Sequence, residues 1–141
     1  MMEGVTWLTH KFVMHGFLWT LHQDHHYKDH DAILEKNDLF FLIFSIPAIT
    51  LFAIGTYFSE LRFLIFIGGG ITLYGMAYFI VHEIIIHQRI SYFTRINNFY
   101  FRAIRKAHKI HHKKLGKEHG ECFGMLLVPL KYFKEALKTK S

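Results

Sequence analysis

Two uncharged stretches with only four residues between them constrain this chain more than any other feature. From Leu39 to Phe58, LFFLIFSIPAITLFAIGTYF runs twenty residues without Asp, Glu, Lys or Arg. From Phe63 to Val81, FLIFIGGGITLYGMAYFIV runs nineteen. A helix rises about 1.5 Å per residue, so either stretch crosses a hydrocarbon core roughly 30 Å thick. Neither carries the polar face at helical spacing that a helix of a soluble bundle turns to water. The expected fold class is all-α: an integral membrane protein with transmembrane segments 39–58 and 63–81 joined as a tight hairpin. One membrane-embedded domain covers 1–141.

Pro47 and the run Gly68, Gly69, Gly70 fall inside these spans, where membrane helices tolerate them. Close packing of the two helices is the expected reason; room for a long flat ligand is the alternative. Of seventeen Lys and Arg, sixteen lie before Leu39 or after Val81, and Arg62 sits in the turn. By the positive-inside tendency both termini face the cytoplasm, which places the chain in the inner, cytoplasmic membrane. MMEGVTWLT lacks the basic start and apolar run of a cleavable signal peptide. A single cysteine, Cys122, excludes an intramolecular disulfide framework and a thiolate metal cluster.

The segments flanking the hairpin are amphipathic. Val5 to Trp19 is apolar but carries His10, Lys11 and His15, which suits a helix entering the interface. Ile96 to Lys114 sets Ile96, Phe99, Tyr100, Ala103 and Ala107 on one stripe, with Arg102, Arg105, Lys106, Lys109 and Lys113 largely off it. Pro129 can open a last helix, with Leu130, Phe133, Ala136 and Leu137 on one face and Lys131, Lys134, Lys138 and Lys140 on the other. Both are expected to lie on anionic lipid.

Histidine is the remaining anomaly: there are twelve. Ten form four groups: His10 and His15; His22, His25 and His26; His82 and His87; His108, His111 and His112. Their spacings are HxxxxH, HxxHH, HxxxxH, HxxHH, one pattern on either side of the hairpin. A hairpin returns its two ends to one side of the membrane, so all four groups can converge there. At about 100° per residue, each HxxHH trio fits within roughly 100° and can point at one site. The HxxxxH pairs differ by about 140° on a straight helix and are expected to serve two neighbouring ions. Ten imidazoles exceed the roughly four to six positions around one first-row ion, so two metals are implied, or one metal with an extensive surrounding shell of further histidines. His30 and His119 stand outside the pattern and are read as solvated.

Taken together, HKFVMHGFLWTLHQDHH, ILEKND, YGMAYFIVHEIIIHQR, AHKIHH and FGMLLVPLKYF resemble the β-carotene hydroxylase family, within the fatty acid hydroxylase superfamily of membrane histidine-box oxygenases. The resemblance runs from about Thr9 to Phe133. It implies a non-haem di-iron monooxygenase of carotenoid biosynthesis that uses O2 and electrons from a ferredoxin-type donor to hydroxylate C3 of a β-ionone ring. β-Carotene then passes through β-cryptoxanthin to zeaxanthin. By position the resemblance makes all ten box histidines both catalytic residues and ligands of two iron ions. Two departures stand out: family members usually carry a further hydrophobic segment before the first box, and Glu83 replaces the family's common Asp.

The residues support that chemistry independently. Breaking an unactivated C–H bond requires a redox metal, and an all-imidazole set suits iron, although donor softness alone equally allows zinc or copper. Asp24 and Glu83 lie within boxes, where a carboxylate can accept the second N–H of a ligating imidazole; Asn37, Asp38 and Asn97 or Asn98 are further candidates for that role. Trp7, Trp19, Tyr74, Tyr78 and Phe79 are candidates for a substrate passage or for an aromatic belt. The net charge of +6 suits an acidic electron donor, though positive-inside topology produces the same excess. A carotenoid arriving from the bilayer is the expected partner, and nucleic acid is not. The alternatives are a fatty-acyl or sterol hydroxylase or desaturase of the same superfamily, and a non-enzymatic membrane protein that binds or transports metal. A transporter should place polar ligands in mid-span.

Overall fold

The computed structural model describes residues 1–27, 34–90, 96, 98–118 and 120–138. His30, Asn97 and His119 lie outside them. In chain order come α1 (Met2–Leu8), a π-helical segment Thr9–Phe17, α2 (Trp19–His26), a 3-10 turn Lys36–Asp38, α3 (Leu39–Tyr57), a second turn Ser59–Leu61, α4 (Leu64–Tyr78), a second π-helical segment Phe79–Ile86, α5 (Phe99–His112) and α6 (Leu130–Lys138). No strand occurs among the described residues.

The hairpin starts at a reciprocal cap. The backbone N–H of Glu35 donates to Asp38 Oδ2 at 2.9 Å, while the Glu35 side chain accepts in return from the turn, and the apolar run begins at once. Helix α3 with its preceding turn, and α4 with the π-segment that continues it, are both long and apolar enough to cross a membrane: Lys36–Tyr57 and Leu64–Ile86. Their outer surfaces are bare hydrocarbon, with Phe66 78% and Leu73 69% exposed. In water that exposure would be strongly unfavourable; in lipid it is neutral. Ser45 and Thr50 donate to carbonyls one turn back, Phe41 and Ile46, so their hydroxyls are satisfied within α3.

Close packing accounts for part of the glycine run. A Cβ on Gly68 would lie 3.1 Å from the Ala48 carbonyl oxygen, and one on Gly55 would lie 2.9 Å from Ile65 Cγ1. Cβ atoms at Gly69 and Gly70 would meet nothing within 4 Å. The close approach therefore needs Gly68, not the whole run.

The flanking helices depart from the sequence expectation. Asn98 caps α5 by accepting the Phe101 N–H at 2.9 Å. The stripe expected on lipid is in part covered by protein, with Ala103, Ile104 and Ala107 packed with Val128, Tyr132 and Ala136 in one buried cluster while Phe99 stays exposed. Leu130 and Leu137 of α6 stay exposed. An amphipathic stripe declares that it must be covered, and here α5 and α6 cover each other.

The N-terminus is tied into this assembly by Glu3. Its Oε1 accepts the consecutive N–H groups of Met125, Leu126 and Leu127 at 2.8, 3.0 and 3.0 Å, and its Oε2 accepts the Tyr74 hydroxyl. One carboxylate thus joins α1, α4 and the segment that leads into α6.

Candidate metal centre

All ten box histidines meet at one end of the hairpin, in two adjoining clusters. The first consists of His10, His15, His22, His26 and His111; the second of His25, His82, His87 and His108. Within each, one ring nitrogen per residue lies within 4.8 Å of every other. His112 sits at the junction: its ring stacks on His26 at 4.6 Å and lies 4.9 Å from His25 and 4.3 Å from His108.

The division reverses the one expected from a straight helix. Each HxxxxH pair belongs to a single cluster, with ring centroids 5.2 Å apart for His10 and His15 and 4.6 Å for His82 and His87. Each trio is split, His22 and His26 from His25, and His111 from His108. The cause is local backbone. His10 and His15 lie on one π-helical segment, and His82 lies on the other with His87 capping its end; there hydrogen bonds run from i to i+5 and residues five apart face nearly the same way. The bond from the His87 N–H to the His82 carbonyl, 2.9 Å, is of this kind. On α2 and α5, at ordinary pitch, the roughly 100° spread of a trio is wide enough to address two sites.

The outward nitrogens are held by acceptors. Nδ1–H of His10, His15 and His111 donates to the carbonyls of Phe123, Lys117 and Glu121 at 3.0, 3.3 and 2.7 Å. That of His22 donates to Asn37 Oδ1 at 2.7 Å. In the second cluster the acceptors are carboxylates: Glu35 Oε2 for His25 at 2.7 Å and Glu83 Oε1 for His82 at 2.6 Å. A carbonyl can only accept, so these Nδ1 atoms carry the proton and the matching Nε2 atoms carry lone pairs. Those lone pairs face one another. Nε2 of His15 is 3.2 Å from Nε2 of His111, and Nε2 of His10 is 3.1 Å from Nε2 of His22.

A second proton would turn each contact into a hydrogen bond, but burial opposes it. Desolvation, reinforced by neighbouring imidazoles, lowers His22 to about 3, His111 to about 4, and His26 and His112 to about 2; His10, His25 and His108 are also held well below the ordinary value. Nδ1 of His26 and Nε2 of His112 are buried with no hydrogen-bond partner among the described residues. Neutral imidazoles with convergent lone pairs and orphaned ring nitrogens fit divalent cations of the first transition row, and the absence of thiolate fits iron.

The other expected residues divide. Glu83 and Asn37 do hold imidazoles. Asp24 Oδ2 accepts the Lys36 N–H at 2.6 Å, Asp38 pairs with Arg89, and Asn98 caps α5. Trp19 lies beside His15 at 5.0 Å and Tyr78 stacks on His82 at 4.7 Å, whereas Tyr74 is bonded to Glu3. Trp7 and Phe79 are partly exposed. Sequence reasoning missed Glu35, although it stands in the same short acidic segment as Asn37. It also missed the three carbonyls, which no residue type announces.

Comparison with known proteins agrees with this geometry. The sequence profile of the fatty acid hydroxylase family matches residues 1–130. The chain is 38% identical over 129 residues to a β-carotene hydroxylase of Paracoccus sp. (strain PC1), covering 91% of this chain and 78% of that one. It is 38% identical over 125 residues to the Pseudescherichia vulneris β-carotene hydroxylase, covering 89% and 69%. Against a chloroplastic β-carotene 3-hydroxylase of an Oncidium hybrid cultivar the identity is 39% over 122 residues, covering 84% of this chain and 38% of the plant protein. No solved structure matches significantly.

Proposed function

Because the chain belongs to the fatty acid hydroxylase family, with β-carotene hydroxylases among its relatives, we propose that it is a membrane oxygenase hydroxylating C3 of the β-ionone ring, turning β-carotene into β-cryptoxanthin and zeaxanthin. The observation that carries this reading is the inward convergence of Nε2 lone pairs in two cysteine-free histidine clusters. In this reading His10, His15, His22, His26 and His111 hold one iron ion, His25, His82, His87 and His108 hold the other, and His112 offers its buried Nε2 at the junction. Bound there, iron supplies the activation of O2: with two electrons and two protons, one oxygen atom enters the C–H bond and the other leaves as water.

The chain's own residues do the rest. Outward Nδ1–H bonds fix each imidazole in the tautomer that presents Nε2 to the metal. The hairpin presents uninterrupted apolar surface between Leu39 and Phe58 and between Phe63 and Val81, with no Lys or Arg to hold a carboxylate or phosphate head group. That favours a substrate that is hydrocarbon throughout. The clusters lie at the end of the spans away from the Ser59–Leu61 turn, so substrate arrives from lipid while electrons from a ferredoxin-type donor arrive from water. By charge distribution that side is cytoplasmic.

The test is expression in cells that accumulate β-carotene, with pigment analysis under 18O2. The expected products are β-cryptoxanthin and zeaxanthin with label in each new hydroxyl. Unlabelled hydroxyls would exclude an oxygenase. Untouched β-carotene alongside hydroxylated fatty acids or sterols would replace the carotenoid substrate within the same chemistry.

A further inference from the structure

The two clusters differ in what stands behind them. Around the first, the acceptors that hold imidazole N–H groups among the described residues are neutral: the carbonyls of Phe123, Lys117 and Glu121 and the amide of Asn37. Behind the second stand the carboxylates Glu35 and Glu83. Two such groups close together repel each other and are expensive to desolvate. A single guanidinium answers both. Arg89 Nε lies 2.7 Å from Glu83 Oε2 and Nη2 lies 3.1 Å from Glu35 Oε2; Nη2 and Nη1 reach Asp38 Oδ1 and Oδ2 at 3.1 and 3.2 Å.

The backbone delivers Arg89 to that position. The second π-segment ends with Gln88 in the left-handed region, φ 55°, and the Arg89 N–H bonds back to the Glu83 carbonyl at 3.1 Å. The chain thereby reverses, and the side chain of Arg89 returns over the carboxylate six residues before it.

We propose that Arg89 is a positioning residue that makes the two metal sites unequal, holding Glu35 and Glu83 aimed at His25 and His82 so that carboxylate-backed ligands stand behind the second cluster. This rests on the two-ion reading given above. An imidazole that donates to a carboxylate is a stronger electron donor than one that donates to a carbonyl, so the second cluster binds a divalent cation more tightly than the first. Lysine is not equivalent at this position. Its single ammonium cannot span three carboxylates as the planar guanidinium does.

The test is titration of purified, metal-free full-length protein in detergent with Co(II), whose visible absorption reports coordination without turnover. Wild type should bind two ions in two resolved steps. R89Q should weaken the tighter step about 10- to 100-fold and leave the weaker one unchanged, with R89K only partly restoring it. Assignment to the second cluster comes from combination: R89Q should weaken the one ion left in H111A and have no effect on the one left in H108A. E35Q, which keeps the acceptor oxygen but not the charge, should shift the tighter step in the same direction by less. Fewer than two ions in wild type would overturn the two-metal reading itself. Two ions in wild type with both affinities unchanged in R89Q, or both lowered equally in R89Q and E35Q, would overturn the role of Arg89 and leave that reading standing.

Discussion

An imidazole has two nitrogens, and what the outer one touches decides what the inner one can do. His10, His15 and His111 donate outward to main-chain carbonyls, and His22 donates to Asn37, so the inner nitrogens are left as lone pairs. The histidines were legible in the sequence because their number and doubled spacing have no ordinary structural explanation. Their carbonyl partners were not, since every residue has a carbonyl and only the path of the chain after α5 brings those of Lys117, Glu121 and Phe123 to the site. Asn37 tests the principle where a side chain does the holding. Replacing it with Leu leaves the His22 N–H without its acceptor, and affinity for the ion of the first cluster should fall about 10- to 100-fold, while Asn37→Asp, which still accepts, should retain most of it. Calorimetric titration with a divalent metal distinguishes these; equal affinity in Asn37→Leu and wild type would show that this bond does not orient the ring. Protonation supplies a second expectation. An unfolded imidazole gains its proton near 6.5, whereas His22 and His111 resist to about 3 and about 4. Between those values the unfolded chain binds more protons, so stability of the metal-free protein must fall as pH falls below 6.5. From pH 7.5 to 5.5 each such histidine contributes roughly 1 kcal/mol of loss. Thermal unfolding of metal-free protein in detergent should show Tm dropping across that window, and a flat Tm would contradict neutral burial of the cluster.

At the scale of the element, the spacing HxxxxH was read correctly and its geometry was not. On a straight α-helix residues five apart diverge by about 140°, which assigns them to different ions; on a π-helix, at roughly 80° per residue, they diverge by only about 40° and share one face. Helix type is not visible in THKFVMHGF or FIVHEIII, because the apolar residues between the histidines are compatible with either pitch. The long apolar stretches, by contrast, needed no knowledge of pitch: α3 keeps within one residue of its expected bounds, and α4 starts one residue after Phe63 but continues through its π-segment to Ile86, past the expected end at Val81. The flanking amphipathic faces were recognised, but an apolar stripe does not say whether lipid or another helix will cover it. Lengthening the second pair tests the π geometry directly. One Ala inserted between Ile84 and Ile85 makes the spacing six and rotates His87 by roughly 80° out of register. Metal content should fall from two ions per chain toward one, with the first cluster still filled. Retention of two ions at wild-type affinity would mean that His87 is dispensable to the second site.

At the scale of the whole molecule, the doubled histidine pattern makes sense only through the hairpin. His22 and His82 are sixty positions apart in sequence, yet both stand at the same end of the bundle, because α3 leaves that end and α4 with its π-segment returns to it. Without the reversal between Tyr57 and Leu64 the two halves of the pattern would be separated by a bilayer thickness, and neither cluster could form. This level of organisation was legible from charge alone: the spans are empty of Lys and Arg, and the basic residues lie on their outer flanks. The structure adds a reason for the asymmetry between the two ends. The turn end carries Ser59, Glu60 and Arg62, all exposed, whereas the other end carries ten box histidines and the segments that shield them. In the proposed topology both termini and the metal clusters share one face of the membrane and the turn reaches the opposite face. Reporter tags at the N- and C-termini should therefore be accessible only from the cytoplasm, and a cysteine introduced at Ser59 or Glu60, in a Cys122→Ser background, should be labelled by a membrane-impermeant reagent only from outside. Labelling of the turn from the cytoplasm with both tags also cytoplasmic would mean that the hairpin does not cross. Tags on opposite faces would require an odd number of crossings, and the four histidine groups could not then meet as they do here.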